Sequence, residues 1–465
     1  GIHAGLTWAA SLEGIDAAAA EAKKAGRLDY DKPIPGIQVL DAHTIRFRLA
    51  KPDYNFLYIL AMNTLGAQAR EVVERYGTDI GAHPVGTGPF VLKEWRRSSR
   101  IVLERNPNYR EEYFEADPPA DDPVSQRLDR EMKGKRIPQL DRVEIYVIEE
   151  SQPRWLAFLN GELDWVNLPY EFKSMAIPEG RPAPWLEKKG VKYIPSVDLD
   201  LTYMYWNMKD PVWGGYTPDR IALRRAISHS YDIGEEIFLV RTGTAMEART
   251  ALPPGVLGHD PDFTTGPSHD VARAKALLDM YGYVHRDGDG WRDRPDGGPL
   301  VFHYATAPSQ LDRLFTQLWM KATQSIGVRM EVEVAQWPDL RKKSKLGQLS
   351  NWHLAWNADF PDGENFYQLL YGPNTGTSND GCFQLEAFDR LYDQAAAVPP
   401  GPERVAIYRE MARIVAVYAP WKTFVHRMRN QLIQPWVLGW RKHQFIHDAY
   451  RYVDIDLDLR ARYLR

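Results

Sequence analysis

The run Trp352-His353-Leu354-Ala355-Trp356-Asn357-Ala358-Asp359 holds two tryptophans four residues apart and an aspartate three residues beyond the second. On an extended strand alternate residues share a face, which puts Trp352, Leu354 and Trp356 together. Two readings follow. One is an aromatic wall with an anionic anchor just past the strand end; the other is a pair of core tryptophans followed by an aspartate that caps a turn. Elsewhere the chemistry-bearing residues do not assemble. His285-Arg286-Asp287-Gly288-Asp289-Gly290 lacks the first acid of a calcium loop, and position twelve is Asp296 rather than glutamate, so it reads as a Gly/Asp turn. Gly86-Thr87-Gly88-Pro89 is followed by no Gly-Lys-Ser/Thr, which makes it a strand-entry turn rather than a phosphate cradle. The twelve histidines contain no His-Glu-x-x-His; His443 and His447 are four apart, yet Pro435 and Gly439 weaken a helix that would carry them as a metal pair. The lone Cys382 sits in a polar Gly/Asn loop, and no Gly-x-Ser-x-Gly elbow is present. No catalytic set, metal site or cofactor is therefore expected.

Composition bounds the rest. The 465 residues correspond to about three domains or lobes. Lysine and arginine total 58 against 62 aspartates and glutamates, a net charge of −4, so there is no basic footprint for nucleic acid. Hydrophobic residues at 44% and charged residues at 26% fit a globular chain, and no apolar run has the length of a membrane-spanning helix. The 15 Trp and 24 Tyr exceed what a core requires and suit ligand walls. The first residue is Gly1, which reads as a processed or trimmed start.

These residues need elements to position them. A helix over 7–25 ends at Gly26, and strand pieces follow at 38–49. Two apolar runs, 83–95 and 100–109, flank Arg96 to Ser99 as a β-hairpin; 110–139, rich in charge and proline, reads as a loop or insertion. Strands are expected at 142–149, near Trp165 and over 193–207, with a helix at 153–160 and another opened by Thr217-Pro218-Asp219. After about 250 the pattern becomes strongly periodic: a Ser268-capped helix to Gly282, strand 300–305, helix 309–326, strand 328–334, a short helix 338–346 and strand 352–356. Strand, helix, strand, helix, strand predicts an open, largely parallel α/β sheet, which helices at 384–397 and 402–418 complete. In such sheets ligands bind beyond the carboxyl ends of the strands, where Trp356 and Asp359 fall.

Five phrases, in order, resemble the family 5 extracellular solute-binding proteins of ABC importers, the oligopeptide/dipeptide/nickel-binding group. They are HPVGTGPFVLKEW from His83, RIVLERNPNY from Arg100, ALRRAISHSYD from Ala222, AKALLDMYGY with DGDGW over 274–291, and AWNADFPDGENF from Ala355. The resemblance implies an α/β, two-lobed periplasmic-binding-protein-like fold of type II (cluster C-like) with an extra subdomain on lobe I. Residues 1–140 map to that subdomain, 141–248 and 430–465 to lobe I, and 249–429 to lobe II. Family members begin with a signal peptide and an N-terminal stretch that precede nothing here, so the chain reads as lacking its N-terminal part.

The implied function is capture of short peptides or other amine-bearing solutes between two closing lobes and delivery to an ABC permease in the inner membrane, by a periplasmic, monomeric protein that is not an enzyme. In peptide-binding members the aspartate of the W-x-A-D phrase pairs with the ligand's α-ammonium group, a role that maps to Asp359, and Trp356 matches a pocket-lining tryptophan. Further wall candidates are His353, Tyr203, Tyr205 and His426. Asn357 and Asn365, with Asp359, suit an alternative: oligosaccharide or another planar solute in an aromatic-walled cleft. An alternative of another class is a hydrolase using Asp359 or Asp362 with water.

Overall fold

The structure, a computed structural model, describes residues 11–445 and 449–464. His447 and the first residues of the helix predicted over 7–25 lie outside them. The chain divides into two compact units, one of residues up to 66 with 198–427, the other of 67–197 with 428 onward.

The first unit is built on a five-stranded sheet in the order Arg329–Val334, Val301–Thr306, Asn351–Asn357, Asp200–Trp206, Trp421–Thr423. The first three strands are parallel, as the alternating pattern predicts; Asp200–Trp206 and Trp421–Thr423 extend the sheet antiparallel. Helix Gln310–Ser325 makes the first crossover. Ser309 caps it by accepting from the Asp312 N–H, and Phe315, Trp319, Ala322 and Thr323 face inward at helical spacing. The strand Arg329–Val334 departs from the expected inward alternation, because it lies at the sheet edge and leaves Val332 and Val334 exposed. Asp270, rather than Ser268, caps helix Val271–Met280.

Both sheet faces are covered. Asp200–Trp206 is buried along its whole length. One face carries Trp206, Phe302 and Trp319, with the last two rings 5.1 Å apart; the other sets Tyr205 against Ser344 of helix Trp337–Lys345. Much of the aromatic excess is thus core. Helix Pro402–Tyr418 is tied to helix Pro218–Ser230 by Arg224, which is fully buried and donates to the Tyr418 and Ala419 carbonyls at 2.7 and 3.1 Å, a cation at the negative end of a helix.

The second unit holds the predicted hairpin, Phe90–Arg96 with Arg100–Arg105, joined by Arg142–Tyr146. A second sheet sets Met428 to Ile433 between Trp165–Asn167 and Lys192–Val197. Trp155, Phe158, Leu186 and Leu432 fill one core, and Ile433, Trp436, Val437 and Trp440 another.

Three expectations change. The strand expected over 193–207 is two strands in two different sheets, broken at Asp198 and Leu199, where the Asp198 N–H bonds the Arg427 carbonyl at 2.8 Å. Residues 110–139 are not all loop: Pro123–Met132 is a helix, started by Asp122 as cap and proline at its first position. Residues 11–66 and 198–248 pack with the 249–427 stretch rather than with the segments assigned to lobe I. Lys51 pairs with Asp393, Asn55 bonds Glu364, and Ile59 packs on Phe360.

Candidate functional site

Strand Asn351–Asn357 pairs in register with Asp200–Trp206, Asn357 opposite Asp200 and Trp356 opposite Leu201, and the Ala358 N–H closes the last rung on the Leu199 carbonyl. Alternation sends Trp356 and Asn357 to opposite faces of the sheet. The chain then turns through Asp359 and Pro361 into the short helix Glu364–Tyr367.

Asn365, fully buried, organises the turn. Its carbonyl oxygen accepts from the Trp356 indole N–H at 2.8 Å and the Asp359 backbone N–H at 3.1 Å, while its amino group donates to Asp359 Oδ2 at 3.0 Å. One amide therefore fixes both the indole and the carboxylate. Trp356 and Asp359 are half-buried. Trp356, Met62 and Leu65 pack against the buried pair Ile59 and Phe360, and Tyr58 stacks on Phe360 with ring centroids 6.1 Å apart. An aromatic wall thus stands beside a held carboxylate.

On the other face Asn357 Oδ1 accepts from Arg427 Nη2 at 3.0 Å, and Arg427 also binds Asp200 through its Nε and, at 2.8 Å, through its backbone N–H. Burial pushes the Asp200 carboxyl up, against the pull of Arg427. His426 Nδ1 donates to the Asp200 carbonyl at 2.5 Å, and burial holds its imidazole down to about 4, hence neutral at pH 7.

The remaining wall candidates go to the core. Tyr203 lies 4.9 Å from the Trp421 ring, and Tyr205, 1% exposed, shares a hydrogen bond with Ser344 Oγ at 2.8 Å. His353 stacks on Phe424 at 4.5 Å, and burial pushes it down to about 3. Tyr203 and Tyr205 belong to a strand buried along its whole length, and the half-buried His353 is taken up by its ring contact with Phe424; His426 is committed to the Asp200 carbonyl. Asp362, 2% exposed, is an ion-pair partner: Arg404 Nη1 donates to it at 2.8 Å and the Tyr408 hydroxyl to its other oxygen. A buried carboxylate so committed is a poor general base, which removes half of the hydrolase reading. Burial pushes the Cys382 thiol up, away from a nucleophilic thiolate. Among the described residues no cluster of His, Cys, Asp or Glu is arranged to hold a metal ion, and no helix is long and apolar enough to cross a membrane.

The residue reading missed the Asp200–Arg427 pair and the contribution of 56–65. The signal for the first was present in Asp198-Leu199-Asp200, two acids just before a long apolar strand.

Curated relatives include Heme-binding protein A of Haemophilus influenzae, 26% identical over 436 residues, covering 92% of this chain and 71% of that protein. Di/tripeptide-binding protein 2 of Pseudomonas aeruginosa is 26% identical over 426 residues, covering 88% and 69%. Among solved structures, the ABC transporter-associated periplasmic binding protein DppA from Helicobacter pylori, in complex with the peptide STSA, matches with a TM-score of 0.73 at 22% identity over 90% of this chain and 74% of that one. The oligopeptide-binding protein AppA from Bacillus subtilis, in complex with a nonapeptide, gives 0.72 at 18%, covering 90% and 77%. Those structural matches show the fold, the two-lobed type II class expected from the sequence. The model of the bacterial extracellular solute-binding proteins, family 5, matches residues 6–378, and the chain belongs to that family of solute-binding proteins.

Proposed function

We propose that this chain captures short peptides, or other solutes bearing a primary ammonium group, in the periplasm and delivers them as a monomer to the permease of an ABC importer. The observation that carries the reading is the Asp359 carboxylate, set past the carboxyl end of strand Asn351–Asn357, half-buried and aligned through Oδ2 by the Asn365 amide beside Trp356. A ligand ammonium on that carboxylate makes a charge-assisted hydrogen bond of about 1.5–3 kcal/mol. The backbone of an extended peptide offers further hydrogen bonds independent of its side chains, so affinity comes with little sequence choice. The names of the di/tripeptide-binding relatives and the peptide-bound structural neighbours support the same class of ligand.

Native mass spectrometry of the protein purified from its source tests this. Bound masses that fragment as peptides with free amino ends are expected, and the same peptides should stay intact on long incubation. A bound tetrapyrrole or oligosaccharide would overturn the amine reading, and cleavage products would overturn the binding-only reading.

A further inference from the structure

We infer that the first unit carries a second site, for a soluble oxyanion of two or more charges, in the cavity where helices Pro218–Ser230 and Val271–Met280 meet the 245–268 segment. The cavity has a volume of about 580 Å³ and is lined by Arg225, Arg249, Arg273 and His229. That volume falls within the range of small-molecule sites, roughly 300–1,000 Å³. It does not depend on the Asp359 reading.

Two features point to an anion. The positive groups are kept close without mutual neutralisation. Burial first, and then Arg273, disfavours the charge on both Arg225 and His229, and Lys422 adds to the effect on His229. No ion pair to Arg225, Arg249 or Arg273 forms among the described residues, although Glu247 and Asp262 also line the cavity. Like charges held together at a cost are relieved by a bound anion. The second feature is His229, 5% exposed: its Nδ1–H donates to the Ser268 carbonyl at 2.6 Å, so the neutral ring offers Nε2 as an acceptor, which suits the hydroxyl of a hydrogen-bearing oxyanion. Arg225 is steadied by its own donation to the Ala416 carbonyl at 2.5 Å, so one guanidinium is pre-placed while Arg249 and Arg273, both exposed, supply adaptable forks. Three arginines against two carboxylates leave the lining positive. Asp270, which also faces His229, caps helix Val271–Met280 through the Arg273 N–H.

The test is calorimetric titration of the full chain with pyrophosphate and with citrate, beside the Arg249→Ala/Arg273→Ala double variant. Both substitutions are at exposed positions, so folding and peptide affinity are expected to hold. A parallel arm floats the protein on vesicles of phosphatidylglycerol in phosphatidylcholine. Binding of either soluble anion that weakens at least about tenfold in the double variant, and weakens with salt, supports the site with a soluble ligand. Arginine-dependent flotation without soluble-anion binding overturns the soluble ligand and assigns the arginines to a lipid headgroup instead. Failure of both arms, or soluble-anion binding unchanged in the double variant, overturns the inference.

Discussion

Asp359 and Asp362 stand three residues apart in one turn, yet the fold buries one and leaves the other half-exposed. Asp362 is buried against Arg404 and Tyr408 of helix Pro402–Tyr418, and its Oδ1 also takes the Glu364 N–H at 3.0 Å. Asp359 is half-buried and aligned by the neutral Asn365 amide. The two tryptophans of the preceding strand divide the same way: Trp352 is buried beside Trp337, while Trp356 is half-buried and held by Asn365. The lesson is that residue type does not assign an environment here: the same carboxylate is sealed in the core at Asp362 and left half-buried at Asp359.

The comparison breaks most visibly at Asp362. Asp362→Ala leaves Arg404 buried without its carboxylate, and chemical denaturation should show a loss of about 3–5 kcal/mol. A variant as stable as the parent would mean that the two carboxylates are not distinct in kind. Smaller, and dependent on pH, is the effect at Glu364, whose Oε2 accepts from Asn55 at 2.6 Å. Burial first, then Asp53, pushes its carboxyl up to about 7 from an ordinary 4.5. The folded state therefore holds an extra proton between those values. The cost of the ionised form is fully present above about pH 7 and fades as pH falls toward 4.5. Glu364→Gln should stabilise by on the order of 1–3 kcal/mol near pH 8 and be neutral near pH 4.5; equal shifts in melting temperature at both would contradict this. The smallest stability effect is expected at Asp359, where Asp359→Ala removes an acceptor of the buried Asn365 amino group and should cost about 1 kcal/mol. A loss matching that of Asp362→Ala would place Asp359 in the structural class.

Local periodicity made the sheet after residue 250 legible, because helix and parallel-strand spacing is written within each element. Phe315 and Trp319 sit at the core for the reason their spacing gives. Unit membership was not legible, since Asp200–Trp206 finds its partner some 150 residues later in Asn351–Asn357. The candidate site was half legible. Trp356 near the end of its strand and Asp359 just past it follow from position, and the family phrase points to the same pair. Tyr203, Tyr205, His353 and His426 were indistinguishable from wall residues because an aromatic on a strand has the same spelling whether its face meets solvent or a helix. The clamp by Asn365 depends on how the turn brings a side chain back six residues, which no pattern specifies.

The central claim is that Asp359 recognises an ammonium group, and a double cycle of ligand and protein tests it most directly. Calorimetry would compare a tripeptide with its N-acetylated form on the parent chain and on Asp359→Ala. Acetylation should weaken binding to the parent roughly ten- to a hundredfold and scarcely affect the variant, since the charge-assisted bond exists only when both partners are present. An equal effect of acetylation on both proteins, or undiminished affinity of the variant for the free peptide, would contradict it.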